Sequence, residues 1–376
     1  MTARIKGSAG ALAGKPGTCF SEPRDAARAL SAWFAKNARD LPWRHGYDPY
    51  GVWVSEIMLQ QTRVSVVVPF YLRWMERLPD LGSLARAQET TVLKLWEGLG
   101  YYQRPRNLHR AAQILCAENH CRVPDDFERL ARLPGLGDYT AAAIASIAFE
   151  KPRPAVDANV KRVFARLWDL SGLEPGIIRN IKEAVLLLME SASPRVVTQA
   201  LMELGALLCS RSNPRCAECP FQDICLARNN RTQDLRPRPA IKKSPTRVTL
   251  AVGVLANRGR FLVRQRPASG LMAGLWEFPG VSVAEKEDRE KALRRLFMQE
   301  LGLKIITDGL FRSVRFSYTT FRVTAEVFFL RPAGSADAKT GPRLRWVDPA
   351  GLSALAMPAA YRKLADLVSA SETDRH

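Results

Sequence analysis

The sequence predicts a multidomain protein in which an all-α region precedes a smaller α+β domain, and three observations predict it. From about residue 24 to 225, apolar residues recur at three- and four-residue spacing, the period of packed amphipathic helices. Past Arg247 the texture changes to short β-type runs at 248–255, 260–264 and 321–329 around one helical stretch near 288–301. Between the two, residues 226–247 hold three prolines and seven basic residues and show no apolar period, as expected of an extended linker.

Length and charge narrow the class. At 376 residues, with 47% apolar and 25% charged content, the chain suits two or three folding units with proper cores. The 56 Lys and Arg exceed the 37 Asp and Glu by 19, which suits a polyanionic partner, nucleic acid first. No stretch approaches the length of a membrane-crossing apolar helix. Residues 1–23 are rich in Gly, Ala and Lys without the apolar segment of a signal peptide. They are expected to be a disordered tail on a cytoplasmic protein, nucleoid-associated in a bacterium.

Within the helical region the turns Leu78-Pro-Asp80, Val123-Pro-Asp125 and Leu133-Pro-Gly135 separate the helices. The segment Leu133-Pro-Gly-Leu-Gly-Asp-Tyr-Thr140, followed by an Ala-rich run, reads as helix, tight turn and helix. Gly135 and Gly137 would let backbone N–H groups approach a phosphate at a helix N-terminus; a plain αα-hairpin has the same pattern. Farther on, Pro154-Ala-Val-Asp157-Ala-Asn159 places a carboxylate just before an amphipathic helix. There Asp157 can cap the helix, and capping donors would also keep it ionised to face a developing cation. Glu56 lies in Val52-Trp-Val-Ser-Glu-Ile-Met-Leu-Gln-Gln-Thr62. Among such neighbours it is either a proton donor with a raised pKa or a bland residue on a wet helix face.

Of seven cysteines, four fall within 17 residues as Cys209-x6-Cys216-x2-Cys219-x5-Cys225. That is the ligand count of a tetrahedral zinc or of an iron–sulfur cubane, and a compact loop with one Cys-x2-Cys knuckle mildly favours the latter. Arg211 and Arg215, between the first two ligands, would form a basic loop able to meet phosphates, or be solvated surface charges.

Taken together with Gly98-Leu-Gly-Tyr-Tyr102, these motifs resemble the MutY-type adenine DNA glycosylases, over about residues 24–365. That family sits in the helix-hairpin-helix DNA glycosylase superfamily with endonuclease III. The resemblance implies a six-helix barrel module over about 46–150, a [4Fe–4S] module from 24–45 and 151–225, and a Nudix-like domain over 248–370 that recognises 8-oxoguanine. It implies that Glu56 protonates adenine N7, that Asp157 faces the oxocarbenium ion, and that Tyr139 and Asn159 hydrogen-bond around the aspartate and sugar. Gln61 and Tyr101 match residues inserted into the base stack beside the lesion, and Arg39 and Arg44 match residues near the adenine pocket. Bifunctional relatives carry a lysine at the position of Tyr139, so hydrolysis to an abasic site without strand cleavage is implied. The implied partner is duplex DNA with adenine opposite 8-oxoguanine or guanine, bound by a monomer.

In the C-terminal part, Gly274-Leu-Trp-Glu-Phe-Pro-Gly280 and a helix ending Gln299-Glu-Leu-Gly-Leu303 resemble a Nudix fold. Leu296 and Gln299 stand where metal-holding glutamates belong, so a binding domain rather than a pyrophosphatase is expected. The family's Phe-Ser-His tip corresponds to Phe316-Ser317-Tyr318, without the histidine.

Overall fold

The computed structural model describes residues 22–118, 120–238, 244–318, 320–334 and 341–373. Most of the tail expected at 1–23 and the middle of the linker lie outside them. The chain divides into two compact units, one of residues 1–86 and 107–241, the other of 87–106 and 242–376. Among the described residues no helix is long and apolar enough to cross a membrane.

In chain order the helices are α1 (Pro23–Asn37), α2 (Pro49–Leu59), α3 (Val64–Arg77), α4 (Leu81–Arg86), α5 (Glu89–Leu95), α6 (Gln103–Glu118), α7 (Phe127–Ala131), α8 (Asp138–Phe149), α9 (Ala158–Leu167), α10 (Pro175–Met189), α11 (Pro194–Leu207) and α12 (Leu226–Asn229). Local chemistry sets their starts. Proline stands at the first turn of α1, α2, α10 and α11, and Asp48, Asp126, Asp157 and Ser193 cap α2, α7, α9 and α11. Buried faces set the packing. α2 and α8 are mostly apolar and buried along most of their length, with Tyr50 to Met58 and Thr140 to Ile147 inside, so they form the centre of their bundle. α1, α9, α10 and α11 share a second core around Leu30, Phe164, Leu188 and Leu204.

The extended linker expected over 226–247 does not hold for its first half. Residues 226–229 form α12, a 3-10 turn follows at Gln233–Leu235, and Arg236 Nε bonds Asp169 Oδ1 at 2.7 Å. Basic and proline-rich composition marks exposure, but the Arg236–Asp169 ion pair and the bonds from Asn230 and Thr232 to Asp169 fold this segment down. One stretch of the expected 46–150 module also departs from it: residues 87–106, with α5, pack in the C-terminal unit.

That unit is built on a sheet of β1 (Thr246–Asn257), β2 (Arg260–Gln265), β3 (Trp276–Glu277), β4 (Gly280–Val283), β5 (Ile305–Tyr318), β6 (Phe321–Pro332) and β7 (Leu344–Val347). β1 is central, parallel to β6 and antiparallel to β2 and β4. Side chains alternate across it as the two-residue strand period requires. Ala251 and Leu255 join a core with α13 (Arg289–Leu301), while Val252 and Val254 join one with α14 (Pro349–Ala354) and α15 (Ala359–Thr373). β5 and β6 form a hairpin whose last pair is Tyr318 with Phe321.

The Nudix-type metal positions are filled by other chemistry. Leu296 is buried in the core, and Glu277, only 3% exposed, accepts from Arg264 at 3.0 Å and from Arg266. Arg264 also reaches Glu300 at 3.2 Å. Glu277 and Glu300 are thus both paired with arginine.

Candidate active site

In the helical unit α2, α8, α9 and α11 converge on a cleft of about 510 Å³. Glu56 enters it from the end of α2, 7% exposed, and accepts a 3.1 Å hydrogen bond from Tyr139 Oη. Burial is the largest influence on its carboxyl and raises the pKa; the Tyr139 bond and the Arg44 charge oppose it, the nearby Asp157 adds to it, and the result is about 7. Near neutral pH this group can therefore hold a proton, which a wet helix face would not allow.

Asp157 opens α9. Its Oδ1 accepts from Val160 N at 2.7 Å and its Oδ2 from Asn159 Nδ2 at 2.8 Å. The cap expected from sequence is present, but the expectation that its donors decide the acidity is corrected. Burial raises the carboxyl above its ordinary value, and the hydrogen bonds offset only part of that.

Asn159, which bonds Asp157, is tied through Arg162 to residues farther along the chain. Arg162 Nη2 donates to Asn159 Oδ1 at 2.9 Å and to Gly205 O at 2.7 Å, and its Nε donates to Cys209 O at 2.8 Å. Gly205 is glycine because α9 presses on it: a Cβ there would lie 2.5 Å from Asn159 Cβ and 3.0 Å from its Cα. Gly205→Ala must push back the start of α9, and about 1 Å of misplacement at a reacting group can cost roughly 10²-fold. Single-turnover base release by this variant is expected to fall by at least tenfold on that scale, with the fold retained by circular dichroism.

Arg39 and Arg44 also line the cleft, bound to a residue that sequence reasoning did not single out. Glu203 accepts from Arg39 Nε at 2.9 Å and from Arg44 Nη2 at 2.7 Å, and its side chain is 1% exposed. Arg44 Nε adds a bond to Gln199 Oε1 at 2.8 Å. Gln199 and Glu203, four residues apart on an otherwise apolar stretch of α11, were the available signal. Glu203→Ala leaves a partly buried arginine pair without its anion and is expected to destabilise the fold by about 3–5 kcal/mol, read as a lowered Tm.

Glu56, Asp157, Tyr139, Asn159, Arg39, Arg44 and Gln61 thus face one cleft. Gln61 is exposed and holds a left-handed backbone, φ 58°. In the hairpin Gly135 has φ 80°, and a Cβ there would strike Asn107 Cβ at 2.6 Å, so packing as well as the left-handed backbone requires glycine. Gly137 is the residue before α8, with open space around it. Tyr101 and Phe316, Ser317 and Tyr318 belong to the C-terminal unit. Phe316 packs on the sheet core, and Ser317 is exposed.

Cys209, Cys216, Cys219 and Cys225 line a single cavity with Arg166 and Arg228. Among the described residues no group of three or more His, Cys, Asp or Glu is set to hold one metal ion. The donor set suits a cationic group larger than one ion: four separate thiols line the same cavity, and Arg166 Nη1 donates to Cys209 Sγ at 3.3 Å. Burial pushes the Cys219 thiol up to about 12, so a bound cation is what would ionise it. Arg211 is exposed, whereas Arg215 is tied to Glu218 at 3.2 Å and to Leu207 O at 3.1 Å. Cys116 and Cys121 are joined by a disulfide.

Residues 54–184 match the family model described as HhH-GPD superfamily base excision DNA repair protein, and residues 251–367 match a NUDIX domain. The chain is 33% identical to the adenine DNA glycosylase of Homo sapiens, across 89% of this chain and 72% of that protein. It is 39% identical to that of Arabidopsis thaliana, across 69% of this chain and 48% of that protein, spanning about half of the plant relative. Among solved structures, a thermostable thymine-DNA glycosylase superposes with a TM-score of 0.51 at 25% identity, covering 56% of this chain and 98% of that one.

Proposed function

The chain belongs to the adenine DNA glycosylases of the HhH-GPD base excision repair superfamily, and from that premise we propose that it hydrolyses the N-glycosidic bond of adenine mispaired with 8-oxoguanine or guanine in duplex DNA. The observation that carries this reading is the pairing of Glu56 and Asp157 in one cleft, the first holding a proton near neutrality. Two such carboxyl groups divide the work of a glycosidase.

Glu56 gives its proton to adenine N7, so that the electron pair of the breaking C1′–N9 bond passes to a cationic base, which leaves as neutral adenine. Asp157, as carboxylate, faces the positive sugar left behind, and Asn159 holds its oxygen in place. Water then attacks C1′ and returns a proton to Glu56, leaving an abasic site. Tyr139 is a phenol whose pKa burial raises well above its ordinary value. It is no amine nucleophile, which supports a monofunctional reaction without a Schiff base.

The adenine must leave the stack to reach the cleft. Gln61 and Tyr101 fit as inserted residues, Gly135 and Gly137 as phosphate contacts, and Arg211 as an outward charge of the cysteine loop. Arg215, already paired, is the weaker phosphate contact. Phe316, Ser317 and Tyr318 at the β5–β6 hairpin are read as the surface for the oxidised guanine. The four cysteines would hold a [4Fe–4S] cluster, which would hold this loop in shape. A monomer acting in the cytoplasm, on chromosomal DNA, completes the reading.

The test is single-turnover adenine release from duplexes with adenine opposite 8-oxoguanine, guanine or thymine. Release from the first two and not the third is expected; no release from any of them would sink the assignment. Iron and sulfide analysis of the purified protein tests the cluster separately.

A further inference from the structure

Residues 87–106 belong to the C-terminal unit, and Glu97 is one of the side chains that tie them into it. Glu97, 12% exposed, accepts through Oε1 from Met357 N at 2.8 Å and from Arg362 Nε at 3.1 Å, and through Oε2 from Lys94 Nζ. Lys94 also donates to Leu355 O at 3.2 Å, and Tyr102 Oη donates to Met357 O at 3.2 Å. These partners lie on the stretch between α14 and α15 and on the first turns of α15.

The loop after Glu97 has little freedom. Gly98, Gly100 and Tyr101 hold φ of 108°, 73° and 50°. Gly100 O accepts from Trp96 Nε1 at 3.0 Å and from Arg104 Nη2 at 3.2 Å, and the Arg104 guanidinium lies over the Trp96 and Tyr101 rings at 5.1 and 5.6 Å. The result is an aromatic ring left 38% exposed on a braced backbone. Burial raises the Tyr318 phenol above its ordinary pKa, and the nearby Tyr101 adds to that.

We propose that Glu97 is a positioning residue for duplex opening: by gripping α15 and the turn before it, it fixes the wedge Tyr101 to the same body that carries the lesion-facing tip at Tyr318. The proposal rests on the reading of the chain as an adenine glycosylase whose Tyr101 enters the base stack. On it, recognition of the damaged base and wedging beside it are carried out by one surface, and loss of the Glu97 grip uncouples them.

The experiment uses the full chain, Glu97→Ala, Glu97→Gln, Tyr101→Ala and the double variant Glu97→Ala/Tyr101→Ala. Adenine release is followed from an 8-oxoguanine:adenine duplex and from a duplex in which the adenine faces an abasic gap, which resists opening less. Glu97→Ala is expected to lose at least about tenfold more rate on the paired duplex than on the gapped one, and the double variant to be no worse than Tyr101→Ala. Glu97→Gln, which keeps the acceptor oxygen, should recover most of the loss and remains informative if the alanine variant folds poorly. Equal losses on both duplexes, additive effects in the double variant, or a Glu97→Gln defect as large on gapped as on paired DNA would overturn the proposal. Failure of the unsubstituted chain on every duplex would instead overturn the glycosylase reading.

Discussion

Glu56→Gln is expected to lower single-turnover adenine release by roughly 10²–10⁴-fold, the range of a general acid, while making the protein more stable. In the unsubstituted chain the rate should decline as pH rises through about 7, where Glu56 gives up its proton. The stability effect has the opposite sign to the usual carboxylate case. A folded-state pKa raised from 4.5 to about 7 means that the native state binds a proton which the unfolded chain has released. Stability therefore falls as pH rises through that window and levels off above it. Glutamine has no charge to bury, so the variant should gain about 3 kcal/mol above pH 7 and nothing below the unfolded pKa. Thermal denaturation at pH 5 and pH 8 checks it: a Tm gain no larger at pH 8 would mean that Glu56 is not desolvated in solution.

Asp157→Asn is expected to cost a comparable factor in adenine release, roughly 10²–10³-fold, because the sugar cation loses the anion that faces it. The substitution nearly preserves shape, and an amide oxygen can still accept from Val160 N, so α9 should keep its cap. It also reports on the neighbour. Asp157 is one of the influences that raise the Glu56 pKa, so in Asp157→Asn the alkaline decline of the residual activity should begin at lower pH. Retained binding to duplex DNA alongside lost release would separate a chemical defect from a binding one. An unchanged pH profile would show that the two carboxyl groups do not sense each other.

The structure also changes how a truncation should be read. Removing residues 248–376, which by sequence reads as cutting away an independent recognition domain, would strip the partners of Glu97, Lys94 and Tyr102. A loss of activity in that fragment would combine lost lesion contacts with a displaced Tyr101.

What the sequence determined by itself is what a few neighbouring residues decide. The Asp157 cap on α9, the proline-led helix starts, the alternation along β1 and the spacing of the four cysteines are each written within 17 positions or fewer, because helix ends and strand faces are settled by local hydrogen bonds and periodicity. The protonation of Glu56 was not legible in this way. It depends on the burial that packing supplies, on Tyr139, 83 residues on, and on Asp157 beyond it. The Arg39–Glu203 pair spans 164 residues and the Glu97–Arg362 grip 265, so neither leaves a local trace beyond a charged residue in an apolar run. Desolvation and ion pairing sum over whatever packing brings near, and only the tertiary structure decides what that is.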